Sequence, residues 1–370
     1  MKIKVMGPSI TSSEIKEVSK MMKYHWDDYS YVEKFEKSFS RFHKTKFGLM
    51  TPSCTLAIHL ILKTLKIKKG DEIIVPASTW TATVLSTVDM GIKIVFCDVD
   101  EKNWCIDINQ VKKKISKKTK ALIAVDLYGL MPNYKELVSI CKKKKIFLIE
   151  DAAEALGSKQ QNKLAGTFGD ASVFSFHRTK TITSGEGGFL LIKNKKIFER
   201  AKFLRDLGRS TNKPYYADEV SLKYMPSNLQ ASVAYAQFKR IKRLLKIKKK
   251  IMHAYVKYFN QFNINLFINK NQKNITNGNW MPTIVLDKKY KITADKLIKI
   301  LNKKKIPCRV FFSPLPYQKG YKKLSNMRYK FIVGEKLHKF GLSLPCHYSL
   351  KEKEIFYIVK NIHNILMKKI

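Results

Sequence analysis

An acid and an amine twenty-nine positions apart, Asp151 and Lys180, offer the most chemistry in this chain. Asp151 closes an apolar run, IFLIE (146–150), and Lys180 stands in a stretch of Ser, Thr and Gly, TKTITSGEGG. A lysine amine can hold an aldehyde as an imine, and a carboxylate on a pyridine nitrogen keeps that ring protonated so that it accepts electrons. Those are the requirements of pyridoxal 5'-phosphate, and the same amine can then serve as a general base beside the ring. Each residue also has an ordinary alternative. A lysine in a lysine-rich chain is usually a solvated side chain, and an acid at a strand end often caps the next helix. Lys180 is set apart by its position after an apolar strand and before SGEGG, a turn whose glycines let backbone approach a ligand closely.

The elements that must position these groups can be read from Thr51 to about Ile192. Strands are expected at EIIVP (72–76), KIVFC (93–97), ALIAV (121–125), IFLIE (146–150), ASVFSF (171–176) and GFLLI (188–192). Helices are expected at 53–67, 81–90, 137–145 and 195–207. Continuously apolar strands separated by helices predict a mostly parallel sheet covered on both faces, with ligands at the carboxyl ends of its strands. Asp151 and the stretch leading to Lys180 both fall at such ends. One long amphipathic helix is expected from Asn228 to about Val256, with Leu229, Val233, Ala236, Ile241, Leu244 and Leu245 on its apolar face. Beyond it the composition shifts toward Asn, Lys and Ile. Strands at 280–287 and 307–312 and helices at 293–303 and 351–368 predict a smaller α/β domain, so the expected division is 1–250 and 251–370.

A chain of 370 residues can bury a substantial core, and 45 % hydrophobic content fits an ordinary globular protein. No apolar run approaches the length of a membrane span, and the first residues contain no apolar signal region. The six cysteines are scattered without metal-like spacing, and read as buried or partly buried thiols in a reducing cytoplasm. The formal net charge of +43 raises a nucleic-acid or other anionic partner. The basic residues are nevertheless spread along the whole chain without a nucleic-acid-binding motif. That pattern reads as a compositional preference for lysine at surface positions, with a positive field that would attract anionic substrates.

The sequence SFHRTKTITSGEGG (175–188) resembles the S-F-x-x-x-K-x-x-x-x-G-E-G-G stretch of the DegT/DnrJ/EryC1/StrS family of nucleotide-sugar aminotransferases. EDAAEALG (150–157) is similar to that family's EDAAxxxG. The resemblance implies an α/β fold-type I architecture, like that of aspartate aminotransferase, with pyridoxal 5'-phosphate held by Lys180 as an imine. It further implies that Asp151 pairs the pyridinium nitrogen and Glu154 contacts the ring oxygen. Cys54, Thr55 and Ser175 would bind the phosphate, and Trp80 would stack on the ring. Asn228 would reach the phosphate of a neighbouring subunit's cofactor, making the enzyme a homodimer with shared active sites. Arg309 is implied as a substrate contact. The ordinary alternatives are a helix cap or buried hydroxyl for Thr55 and Ser175, a core side chain for Trp80 and a helix N-cap for Asn228.

The family usually has Gly where this chain has Cys54, a glycine just before the V-x-x-F-E segment (32–36), and His where this chain has Asp126. The last two departures lie in regions that can border a sugar-nucleotide pocket. A related dehydratase branch carries histidine at the lysine position, so Lys180 favours amino transfer. The implied activity moves an amino group, from glutamate, to a nucleotide-linked 4-keto-6-deoxy sugar, as in perosamine synthesis, with amination at C3 as an alternative. A second alternative is a non-catalytic basic relative that binds nucleic acid or a regulatory partner.

Overall fold

The computed structural model describes residues 3–324 and 330–368. Seven strands form the central sheet: β1 (Phe47–Thr51), β2 (Glu72–Pro76), β3 (Lys93–Cys97), β4 (Thr119–Val125), β5 (Phe147–Asp151), β6 (Ala171–Ser175) and β7 (Gly188–Ile192). They lie in the order β1-β7-β6-β5-β4-β2-β3. Only β7 runs against the rest, pairing antiparallel with both β1 and β6, whereas β6, β5, β4, β2 and β3 pair in parallel. The sheet is therefore mostly parallel, as expected.

Successive side chains leave a strand on opposite faces, so each strand feeds two cores. Leu122, Leu148, Phe174 and Phe189 pack with Phe35, Phe39 and Leu244. Ile123, Ile149, Val173 and Leu190 pack with Ile58, Ile61 and Leu204 on the other face. This double burial is why the strands read as unbroken apolar runs.

Several features depart from the sequence expectation, among them the unexpected helices Ile108–Lys114 and Ile332–Phe340. β1 and the helices Ser12–Tyr24 and Ser30–Phe42 were not expected. FGLMT carries little β-branched or aromatic signal, and in Ser30–Phe42 the buried Val32, Phe35 and Phe39 are diluted by charged neighbours. The long helix from Asn228 is in fact two, Asn228–Lys239 and Ile241–Gln261, joined at Arg240 with φ −102° and ψ 8°. The second half keeps the expected 3.6-residue pattern, with Ile241 and Leu244 buried, but the first does not: Leu229 is exposed and Val233 half-buried, while Ala231, Ala234 and Phe238 are buried. At the joint the Arg240 guanidinium donates to the Ser9 carbonyl at 3.0 Å and to the Thr11 hydroxyl at 3.0 Å, and pairs with Glu14.

A second sheet has the order Leu266–Ile268, Thr283–Leu286, Gly341–Ser343, Arg309–Val310. Its core includes Ile284 and Leu342, with Tyr255 from Ile241–Gln261 and Ile358 and Ile362 from the helix Glu352–Met367. Residue 250 lies inside the continuous helix Ile241–Gln261. All six cysteines are free, and five of them are buried. Among the described residues no helix is long and apolar enough to cross a membrane.

Asp126 borders no open pocket. It is fully buried just past β4, where the Tyr134 hydroxyl donates to its Oδ1 at 2.6 Å and its Oδ2 meets no partner. Burial first, and then the Glu150 charge, hold its carboxyl well above the usual carboxylate range. Both effects favour the protonated form of Asp126 beside Glu150. Glu150 in turn accepts N–H groups from Phe168 at 2.8 Å and Gly169 at 3.1 Å. A carboxyl raised in the folded state stays protonated there while its unfolded counterpart ionises above about pH 4, so stability falls as pH rises through that window. Asp126→Asn keeps an acceptor for Tyr134 and cannot ionise. Urea denaturation is expected to show the variant gaining on the wild type between pH 5 and pH 8, and parallel pH dependences would refute this account.

Candidate active site

β6 ends at Ser175 and β7 begins at Gly188, so the intervening chain leaves and re-enters the sheet at one edge. The loop is closed at its base by Phe176 N–H to the Gly187 carbonyl, 2.8 Å, and Ser184 N–H to the Phe176 carbonyl, 3.0 Å. Lys180 stands near its middle. Its Nζ donates to Glu154 Oε1 at 3.3 Å and lies 3.9 Å from the centroid of the Trp280 ring. With 14 % of the side chain exposed, this is no solvated surface lysine.

Asp151 ends β5 and is only 4 % exposed. Its Oδ2 accepts from the Thr83 hydroxyl at 2.8 Å and its Oδ1 from Ala153 N–H at 3.2 Å. Burial raises its carboxyl above the usual range, against the lowering effect of those hydrogen bonds and of the Lys180 charge. A buried carboxyl in this state gains most from a cation brought against it, as a protonated pyridine nitrogen would be. Glu154 is also buried, and burial raises it against the opposing Lys180 charge. Its Oε2 accepts Tyr128 N–H at 3.0 Å. Tyr128 itself has φ 52°, an unfavourable backbone conformation for a tyrosine. The Asn269 and Asn277 amides hold it there by donating to its carbonyl at 2.8 and 3.0 Å.

The register Ser175–Gly188–Thr51 brings the end of β6, the start of β7 and the end of β1 to one line. The helix Cys54–Thr64 opens immediately beyond, capped by the Ser53 hydroxyl, which accepts from Leu56 N–H at 3.2 Å. The N–H groups of Cys54 and Thr55 lie in the first turn, out of reach of any helical carbonyl, and suit an anion. Gly188 makes the cradle possible, since a Cβ there would meet the Ser53 carbonyl and come within 2.5 Å of Cys54 N. Gly188→Ala is therefore expected to cost about 1–3 kcal/mol of stability and to weaken phosphate retention, read by thermal melting and by titration with the cofactor. A variant as stable and as tight as the wild type would overturn the close-approach argument.

Trp80 is 59 % exposed, which excludes the core alternative, and its ring leans on Phe312 at 5.9 Å. From Phe312 an aromatic row continues to Tyr128, 5.4 Å and 10°, and to Trp280, 5.9 Å and 13°. Arg309 is exposed on the edge of the second sheet, and its charge is felt at His177 and Tyr128. Asn228 does not join this group within the chain. Its Oδ1 accepts Tyr31 N–H at 2.9 Å and its Nδ2 donates to the His25 carbonyl at 2.7 Å. Nor is it the helix cap, because Ser227 caps that helix by accepting from Gln230 N–H.

The model of the DegT/DnrJ/EryC1/StrS aminotransferase family matches residues 8–363. The chain belongs to this family. A GDP-perosamine synthase of Vibrio cholerae is 32 % identical over 369 residues, covering 98 % of this chain and 100 % of the relative. Another, from Escherichia coli O157:H7, is 31 % identical, with 99 % of each chain covered. The PLP form of the putative sugar aminotransferase Spr1654 from Streptococcus pneumoniae superposes with a TM-score of 0.93 at 25 % identity, covering 100 % of both chains.

The DegT/DnrJ/EryC1/StrS chain is thus a fold-type I, pyridoxal 5'-phosphate-dependent aminotransferase, and the expectation of a non-catalytic relative is set aside. The residues present fit the cofactor: free N–H groups at a helix start, a buried acid at the end of β5, and a shielded amine whose charge is felt at both Cys54 and Asp151. Sequence reasoning missed Thr83, Tyr128, Phe312 and Trp280. Thr83 lies in an unremarkable TAT, and Trp280 follows an Asn-Gly-Asn turn far along the chain. Such distant partners leave no local pattern.

Proposed function

We propose that this enzyme moves an amino group from glutamate to C4 of a nucleotide-linked 4-keto-6-deoxy sugar, giving an amino-deoxy sugar for surface polysaccharide. The observation that carries the reading is the Lys180 amine, held beside two buried acids at the carboxyl edge of the sheet, with an aromatic row leading out to exposed Trp80. Bound pyridoxal 5'-phosphate supplies an electron sink through which an amino group can pass between two carbonyl compounds. Cys54, Thr55 and Ser175 would hold the phosphate, Asp151 would pair with the ring nitrogen, Glu154 would contact the ring oxygen, and Trp80 would cover one ring face. Lys180 Nζ takes the proton from the donor's α-carbon and later delivers one to the sugar carbon. Arg309, exposed on the side of His177, meets the anionic substrate.

Support for C4 comes from the two GDP-perosamine synthases matched over nearly their full lengths. The test is product analysis with glutamate and a panel of GDP-, UDP- and dTDP-linked 4-keto and 3-keto sugars. A 4-amino product is expected, and transfer confined to 3-keto sugars would move the reading to C3.

The same proposal takes 1–250 as the cofactor-binding domain and 251–370 as the smaller one, with the enzyme working in the cytoplasm as a homodimer with shared sites. The Asn228 amide fixes the 25–32 segment, and beside it Trp26, Tyr29 and Leu229 are exposed at 66 %, 43 % and 41 %, a surface suited to a second copy. Sedimentation at micromolar concentration should give a dimer; a fully active monomer would refute it.

A further inference from the structure

Lys180 is gripped from two sides by groups that lie far away in sequence. On one side is Glu154 Oε1 at 3.3 Å; on the other is the face of Trp280, with its centroid 3.9 Å from Nζ. Each arm is itself anchored. The second Glu154 oxygen takes Tyr128 N–H at 3.0 Å, and Trp280 Nε1–H donates to the Thr179 carbonyl at 2.8 Å, next to the lysine. Tyr128 joins the two arms, because its ring also stacks on Trp280 at 5.9 Å and 13°. Trp280 is 5 % exposed, so the contact with the amine is made away from bulk water, where a cation over an indole face is worth most.

We propose that Trp280 is a positioning residue for Lys180: its indole face and the Glu154 carboxylate form a clamp that parks the free amine at one point of the site. The proposal rests on Lys180 being the reactive amine. Trp280 leads into Thr283–Leu286 of the second sheet, so the clamp also ties the seating of that sheet to the readiness of the amine. The other ionisable groups that feel the Lys180 charge are Asp151, Cys54 and His177. None of them offers a π face beside Nζ, because His177 turns its ring nitrogens to Thr179 and Glu186.

The test uses the full-length chain freed of cofactor with hydroxylamine, so its outcome does not depend on sugar or amino donor. Lys180 is labelled with trinitrobenzenesulfonate at a fixed mildly alkaline pH, and its peptide is quantified by mass spectrometry against the remaining lysines. A cation–π contact of this kind holds an amine roughly 2- to 30-fold more firmly than an aliphatic neighbour does, and an amine held in the clamp reacts more slowly. Trp280→Leu should therefore label faster than wild type by that factor, and Trp280→Phe, of similar bulk but with a ring face, should stay near wild type. Simple unblocking of the site would speed both variants alike and would overturn the proposal. Should Trp280→Leu fail to fold, growth on 5-fluorotryptophan replaces all four tryptophans without changing their shape. A weaker π face must then raise labelling at Lys180 alone. An unchanged rate there refutes the clamp.

Discussion

Replacing Lys180 by alanine is expected to give a folded protein that develops no visible absorbance band with pyridoxal 5'-phosphate and transfers amino groups at least about 10³-fold more slowly. The variant loses both the amine that bonds the cofactor and the base that moves the proton, and the proton transfer alone is worth about 10²–10⁴-fold. The fold should survive. Without Lys180, Glu154 loses its cation in a buried setting, but burial already raises that carboxyl and a proton can replace the lost charge. Lys180→Arg separates charge from chemistry, since it keeps a cation between Glu154 and Trp280 yet should lack the band equally. Absorbance titration and melting curves on both variants check this. An alanine variant that keeps the wild-type band would sink the assignment.

The second large effect is at Asp151. Asp151→Asn preserves size and an acceptor for Thr83, but removes the charge that would hold a ring nitrogen protonated. Breaking a buried charge pair costs about 3–5 kcal/mol, equivalent to roughly 150- to 5,000-fold in rate. The band should persist, because Lys180 is untouched, while kcat falls. Thr83→Val, which strips one hydrogen bond from the same carboxylate, should lose far less, about 1–3 kcal/mol. A kcat within fivefold of wild type in Asp151→Asn would mean that the acid does not serve the ring.

How far the sequence could be read follows from how local each signal is. Strands β2, β3 and β7 occupy their expected residues, because double burial forces continuous apolar runs between turns. Asp151 and Ser175 are strand-end residues and could be read with them, and Lys180 follows in the loop after Ser175. The joint at Arg240 could not, since it is made by Ser9, Thr11 and Glu14, more than two hundred residues away. Trp280 and Thr83 were hidden for the same reason: they serve a lysine and an acid far away in sequence. Trp80 could be placed but its surroundings could not, because exposure at 59 % is a property of the packed chain.

The chain between β6 and β7 has a consequence for descent as well as for chemistry. Because β7 runs against its neighbours, the loop holding Lys180 starts and finishes at the same sheet edge, and its own backbone hydrogen bonds seal the base. It is a cassette. Its centre can mutate, even from an amine to an imidazole, while the strands and the phosphate cradle below stay in register. The reactive amine can thus be exchanged by substitution within a dozen residues that never enter the sheet.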